Sequence, residues 1–326
     1  FEKGKTYVVD LWGTWCPPCR EAIPHLSKLQ QKHKDVTFIG VAVLQQDPEE
    51  VVEFVDEAGD KMDYRVALDL VPEDAEVTEG AMFKNWMEPA EKKLPLIFII
   101  NGDGLIAWIG RPAELEPTLA KVVAGEWDVP LEARKAKALA AEQKKLAEYN
   151  TKFRKLFADL ENDNDPTKIL NEVEVATKDL PSHAVQFAMY KFQVLATVKG
   201  TEDKAVAAGE ELVEMPDVVD NPDSLTTIAW FLVSPDREKP ADPRLIKLAL
   251  KISIKADNLA QQKDPMIADT LAKAYFDNGL LEKAVETQER VIDLVPGTSL
   301  ENDPTLKRRL RQYRKALEAS KAEDAP

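Results

Sequence analysis

The chain holds two cysteines, Cys16 and Cys19, within Trp15-Cys16-Pro17-Pro18-Cys19-Arg20. A pair at this spacing supports two kinds of chemistry: half of a zinc site, or a couple cycling between dithiol and disulfide. Zinc requires two further Cys or His ligands at matching spacing. No second pair exists, and His25, His33 and His183 are scattered along the sequence. Dithiol–disulfide exchange is the chemistry that fits, with no metal or organic cofactor implied.

The elements around the pair explain how it would be positioned. Val8, Val9 and Leu11 form a short apolar run suited to a buried strand, and from Pro17 onward Ile23, Leu26, Leu29 and Gln30 recur at helical spacing. The cysteines therefore stand where a strand ends and a helix begins. The free N–H groups and positive dipole of a helix start favour an anion, so Cys16, exposed at the helix tip, is expected to carry thiolate at moderate pH. Cys19, one turn in, is placed to attack a mixed disulfide formed by Cys16, and Pro17-Pro18 stiffens the loop between them.

The segment Val9-Asp10-Leu11-Trp12-Gly13-Thr14-Trp15-Cys16-Pro17-Pro18-Cys19 resembles the active-site stretch of the thioredoxin superfamily, and more closely its exported TlpA/ResA-like branch. A second landmark agrees: Leu94-Pro95 followed by Leu96 to Ile100 and Asn101-Gly102-Asp103-Gly104 resembles that family's cis-proline, strand and tight turn. The resemblance covers about residues 1 to 127. It implies that Cys16 is the nucleophile, Cys19 the resolving cysteine and Pro95 a cis-proline facing them. It also implies that Trp15, Pro17, Pro18 and Leu94 border the substrate, with Leu94 offering its backbone. The Pro and Thr that precede the reactive cysteine of a peroxiredoxin are absent in that arrangement.

Two departures from the branch matter. A Glu is usual three residues after the second cysteine, but Ala22 stands there and Glu21 lies off the required face. The strand position of Asp10 is usually Asn in this branch, while thioredoxins bury an Asp there. A buried carboxylate has its pKa raised by desolvation, which makes Asp10 the candidate general base for Cys19; the competing reading is a strand-end turn or cap residue.

Composition sets the outer limits. With 326 residues, 44% of them hydrophobic, the chain is long enough for two domains. A net charge of -15 argues against nucleic acid or an anionic membrane surface as partner. No stretch approaches the roughly 18 apolar residues of a membrane span. The sequence starts at Phe1 and only 15 residues precede Cys16, so the leading strands of such a unit are expected to be truncated here, and a signal or anchor to have been removed. The absence of further cysteines is compatible with an oxidising compartment, and the resemblance implies an exported protein, periplasmic or membrane-anchored facing the periplasm.

In order, the first domain (1–127) reads as an α/β thioredoxin-like fold, a mixed sheet flanked by helices. Strands are expected at Thr6 to Leu11, Val36 to Leu44 and Tyr64 to Leu68, with a hairpin of Leu96 to Ile100 and Leu105 to Ile109. Helices are expected at Pro18 to His33, kinked by Pro24; at Pro48 to Ala58, capped by Asp47; and at Glu114 to Ala124. Val77 to Trp86 fits either a helix or a lid, and Glu88 to Lys93 is a polar lead into Leu94-Pro95. Met82, Phe83, Trp86 and Met87 form a stripe read first as core and second as a partner groove.

From residue 128 to 326 the pattern is all helix. Leu139, Leu146, Tyr149, Phe153 and Leu156 mark one amphipathic helix over Leu131 to Phe157, followed by a loop at Asp159 to Asp165 and a helix opened at Pro166. The Lys- and Arg-rich face of the Leu131 to Phe157 helix is read first as contacting solvent or the chain's own acidic neighbour domain and second as a site for an acidic partner. Pro181-Ser182, Gly200-Thr201 and Pro216 to Asp223 punctuate later helices. Pro265 to Pro296 resembles a tetratricopeptide repeat through Leu271-Ala272, Ala274-Tyr275, Gly279, Ala284 and Pro296, but with Ala268, Gln288 and Val291 off pattern. A degenerate copy pairs Ser224 to Val233 with Arg244 to Ala260 across a loop containing Pro235 and Pro240.

The expected function is a thiol:disulfide oxidoreductase that reduces disulfide-bonded exported clients. Its electrons would come from an upstream dithiol protein, which the resemblance implies is membrane-bound, and the helical domain would select or hold the client in a groove or act only as a cap. The alternatives are an interaction adaptor with a vestigial or sensing redox site, and an oxidase or isomerase running in the opposite direction.

Overall fold

The computed structural model describes residues 1–90, 93–163, 165–235 and 241–323. The chain divides into two compact units, Phe1–Ala140 and Ala141–Pro326, and each is described separately.

The first unit is built on a five-stranded sheet of β1 (Thr6–Trp12), β2 (Val36–Ala42), β3 (Arg65–Leu68), β4 (Leu96–Ile100) and β5 (Ile106–Gly110), in the order β3-β2-β1-β4-β5. β1, β2 and β3 pair in parallel, while β4 runs antiparallel to both β1 and β5. The central strands β1 and β4 are buried almost throughout, which is why they read as continuous apolar runs. Three helices, α1 (Pro17–Lys32), α2 (Pro48–Ala58) and α3 (Pro112–Val123), complete the alternation. Asp47 caps α2 by accepting from the Glu49 N–H at 2.8 Å.

Period-2 alternation assigns each strand residue to a face. Val8, Phe38, Ile97 and Ile99 meet Leu26 and Leu29 of α1 and Leu115 and Leu119 of α3. Tyr7, Val9, Leu11, Phe98 and Ile100 point the other way, onto Met82, Trp86, Met87 and Leu94. That second face is covered not by a long helix but by a 3-10 turn, Val77–Glu79, and a π-helical turn, Phe83–Met87. The Asp69 carboxylate organises the segment by accepting from the N–H groups of Met82 (2.7 Å) and Phe83 (3.0 Å), and Gly80 gives it room. Met82, Trp86 and Met87 are thus core. Of the polar lead, Glu91 and Lys92 lie outside the described residues. The β4–β5 turn closes through Asn101 Oδ1, which accepts from the N–H groups of Asp103 and Leu105, with Gly104 at φ +80°.

The helix that follows, α4 (Val129–Asp163), is 35 residues long and contains the point at which the chain divides. It corrects two expectations. The helix continues to Asp163 where a loop was expected from Asp159, because Leu160 extends the stripe of Phe153 and Phe157 by one further turn and is buried with them; Asn164 lies outside the described residues. Leu139 does not belong to the stripe and is 55% exposed.

The second unit continues with α5 (Thr167–Asp179), α6 (Ala184–Thr197), α7 (Glu202–Val213), the single turn α8 (Pro216–Val219), α9 (Pro222–Val233), α10 (Pro243–Leu259), α11 (Pro265–Asp277), α12 (Leu281–Leu294) and α13 (Pro304–Glu323). Several start with proline after an Asn or Asp cap: Asn221 accepts from Ser224, Asp242 from Arg244 and Asp264 from Met266 and Ile267. Pro216 to Asp223, expected as a break, therefore holds one helix and opens the next. α9 packs on α10 and α11 on α12, the pairs anticipated from the sequence; Pro235 lies in the first pair's connection and Pro240 falls outside the described residues.

Gln288 shows why the off-pattern positions are what they are. It is fully buried, and its Nε2 donates to Asp269 Oδ1 at 2.9 Å; Asp269 also pairs with Arg309 of α13, whose guanidinium lies 5.1 Å from the Trp230 ring centre. Arg290 grips Asp257 with two bonds of 3.0 and 2.9 Å. Among the described residues, no helix is long and apolar enough to cross a membrane.

Candidate active site

The site forms where β1 gives way to α1, at the C-terminal ends of the parallel strands. Cys16 is the N-cap of α1 and Cys19 lies in its first turn, and the two are joined in a disulfide with Cα atoms 5.3 Å apart. Trp12 and Ile23 pack against the pair from the core side and Leu94 from the opposing loop.

Two features differ from the helix-tip picture. Cys16 is only 4% exposed, against 1% for Cys19, because its sulfur is turned into this apolar cluster. The N–H groups of the first turn are also committed. Pro17 and Pro18 have none, and those of Cys19 and Arg20 donate to the Cys16 carbonyl at 3.1 and 3.2 Å. What the helix start offers a Cys16 thiolate in this arrangement is its dipole, not free donors.

The rim comes from neighbouring segments. Trp15 is 54% exposed, and its Nε1 donates to the Leu44 carbonyl at 3.1 Å. Leu44 has φ +55°, and Thr14 donates to Gln45 Oε1 at 3.1 Å, so the turn after β2 braces the Trp15 side. Pro17 and Pro18 are exposed beside it. On the other side the Leu94–Pro95 peptide is cis, Leu94 is half-buried, and the Pro95 carbonyl accepts from Arg111 Nη1 at 3.0 Å. Arg111 and the Leu44-Gln45 turn were missed from the sequence. Their one signal is position, each standing just after the end of a strand.

Asp10 lies on the α1 side of β1, two residues before Trp12, and is 3% exposed. Burial alone raises its pKa from 3.8 to about 7, since no cation lies near enough to oppose it, and its Oδ1 has no hydrogen-bond partner. This placement differs from that of a strand-end cap, which would bond a nearby N–H.

Residues 2–124 match the family model described as Redoxin. The first unit is a TlpA/ResA-like domain of the thioredoxin superfamily. Among curated proteins this redoxin domain is similar to Protein FixW of Rhizobium leguminosarum, 29% identical over 133 residues, covering 39% of this chain and 58% of FixW. It is also similar to the thiol-disulfide oxidoreductase ResA of Halalkalibacterium halodurans, 40% identical over 58 residues, which is 18% of this chain and 33% of ResA. The chain thus spans a third to three-fifths of the length of these relatives. A solved thiol:disulfide interchange protein of the thioredoxin family from Chlorobium tepidum aligns with a TM-score of 0.30 and 25% identity, covering 37% of this chain and 81% of that one.

Proposed function

We propose that the chain is a thiol:disulfide oxidoreductase that reduces disulfides in exported client proteins, receiving electrons from another dithiol protein, membrane-bound in the family's manner. The observation that carries the reading is the Cys16–Cys19 disulfide at the start of α1, packed against Leu94 of a cis Leu94–Pro95 turn. Dithiol exchange needs these parts: a nucleophile at a helix start, a second thiol within reach, and an open backbone edge to hold the client.

In the cycle, the Cys16 thiolate attacks a client disulfide held along Leu94, forming a mixed disulfide and releasing one client thiolate. Cys19 then gives its proton to the Asp10 carboxylate and attacks Cys16 Sγ. The Cys16–Cys19 bond forms, the second client thiolate leaves and is protonated from solvent, and two electrons have passed to the client. Trp15, Pro17 and Pro18 supply apolar contact around the attacked sulfur. The helical unit serves as a tetratricopeptide-like client holder, a reading supported by its consecutive packed helix pairs α9–α10 and α11–α12.

The test is the reduction potential of the pair, followed by Trp12 and Trp15 fluorescence in a thiol buffer. A value near about -270 mV supports a reductant, whereas about -120 to -180 mV makes the protein a disulfide donor or isomerase and reverses the cycle. Cys16→Ser is expected to abolish turnover. Undiminished biological effect in that variant would point to an adaptor.

A further inference from the structure

Three buried polar atoms without hydrogen-bond partners, Asp10 Oδ1, Trp12 Nε1 and the Tyr64 hydroxyl, converge on one face of the sheet. The β1–β2 register pairs Asp10 with Gly40, so the Asp10 side chain and the bare α-carbon of Gly40 face the same way, and Trp12, two residues on, does too. A Cβ added to Gly40 would stand 2.9 Å from Tyr64 Cε2 and 3.2 Å from Trp12 Nε1. Both rings therefore close over this glycine, on the side where Asp10 points. The same two rings belong to the cluster that packs around Cys16 and Cys19.

We propose that Tyr64 and Trp12 are positioning residues that form with Asp10 a buried proton-handling site, the Tyr64 hydroxyl and the Trp12 indole N–H holding one water against the Asp10 carboxylate. The inference rests on the reading of Asp10 as the base for Cys19. Buried polar groups are as a rule satisfied, and a buried water makes about three hydrogen bonds to groups that would otherwise have none. Trp12 can only donate, Tyr64 donates or accepts, and a carboxylate only accepts, so the set suits one water and an anion. The titratable group that interacts with Asp10 is Tyr64, the residue just before β3; β2 and β4 contribute Gly40 and Ile97 opposite it, and Cys16 and Cys19 of α1 lie in the cluster that Trp12 and Tyr64 share. No basic side chain offsets its burial. Burial and the Asp10 charge both hold the Tyr64 proton in place, so the hydroxyl stays a donor throughout the working range.

The sign follows. Donors aimed at a carboxylate favour its charged form, so removing the Tyr64 hydroxyl shifts the ionisation of Asp10 to higher pH. The experiment is a single-turnover reduction of a peptide disulfide by the reduced full chain, followed by Trp fluorescence from about pH 5 to about pH 9. The wild-type rate is expected to rise with the ionisation of Asp10, Tyr64→Phe to move that limb up by about one unit, and Asp10→Asn to remove it. An unmoved limb in Tyr64→Phe overturns the proposal. A limb that persists in Asp10→Asn overturns instead the underlying assignment of Asp10 as base. A wild-type measurement stands beside the variants in case Tyr64→Phe fails to fold: the Trp12 indole N–H resonance is expected to titrate with Asp10, and a pH-independent signal also defeats the proposal.

Discussion

In the redoxin unit Asp10 is 3% exposed with no cation beside it, whereas in the helical unit Asp257 and Asp269, 4% and 7% exposed, are paired with Arg290 and Arg309. A third arrangement lies between them: Asp69, half-buried in the redoxin unit, is satisfied by two backbone N–H groups. Burying a charge without a partner costs several kcal/mol, and a fold that leaves one so keeps the group neutral over part of the physiological range. Paired carboxylates hold helices in place. The unpaired one is free to exchange a proton.

The widest separation between these cases is expected from Asp10→Asn. The folded carboxyl titrates at about 7 and the unfolded one near 3.8, so between these values the folded state binds more protons. Stability from this group is therefore full below the unfolded pKa, falls as pH rises towards 7, and the variant gains relative to wild type by at most about 4 kcal/mol at pH 8. Denaturant titrations at pH 4 and pH 8 check it, and equal differences at the two pH values would show that Asp10 is not buried as a neutral acid.

Arg309→Met is expected to act in the opposite direction, by about 3 kcal/mol, because it leaves Asp269 and fully buried Gln288 around an uncompensated charge. Thermal unfolding followed by far-ultraviolet circular dichroism measures this, and a loss under about 1 kcal/mol would mean that water reaches Asp269 freely. The smallest effect, about 2 kcal/mol, is expected from Asp69→Ala, which strands the N–H groups of Met82 and Phe83. Hydrogen exchange should accelerate at those two amides while the amides of β1 stay protected.

Much of the redoxin unit was legible because its elements are written locally. Asp47-Pro48 announces a capped helix, Asn101-Gly102-Asp103-Gly104 a tight turn, and Val8 to Leu11 a buried strand. The Val77 to Trp86 segment was not, since two short turns, the second held by the carboxylate of distant Asp69, leave no periodic signature. Leu160 and Leu139 show the same limit along α4. Both fit a long amphipathic helix, and only tertiary packing shows that Leu160 is buried with residues of α5 and α6 while Leu139 is exposed.

The site divides in the same way. Cysteine spacing, the prolines between the cysteines and the apolar strand before them are contiguous in sequence, Leu94-Pro95 is a second short motif, and the chemistry of dithiol exchange is fixed by residue type at short range. Sequence alone therefore determined the reaction class and the two sulfurs. Tertiary structure decided that Cys16 is 4% exposed, that Arg111 holds the Pro95 carbonyl, and that Trp12 and Tyr64 close over Gly40 beside Asp10. Burial and hydrogen-bond partnership are sums over residues distant along the chain, so they come into being only when the sheet assembles.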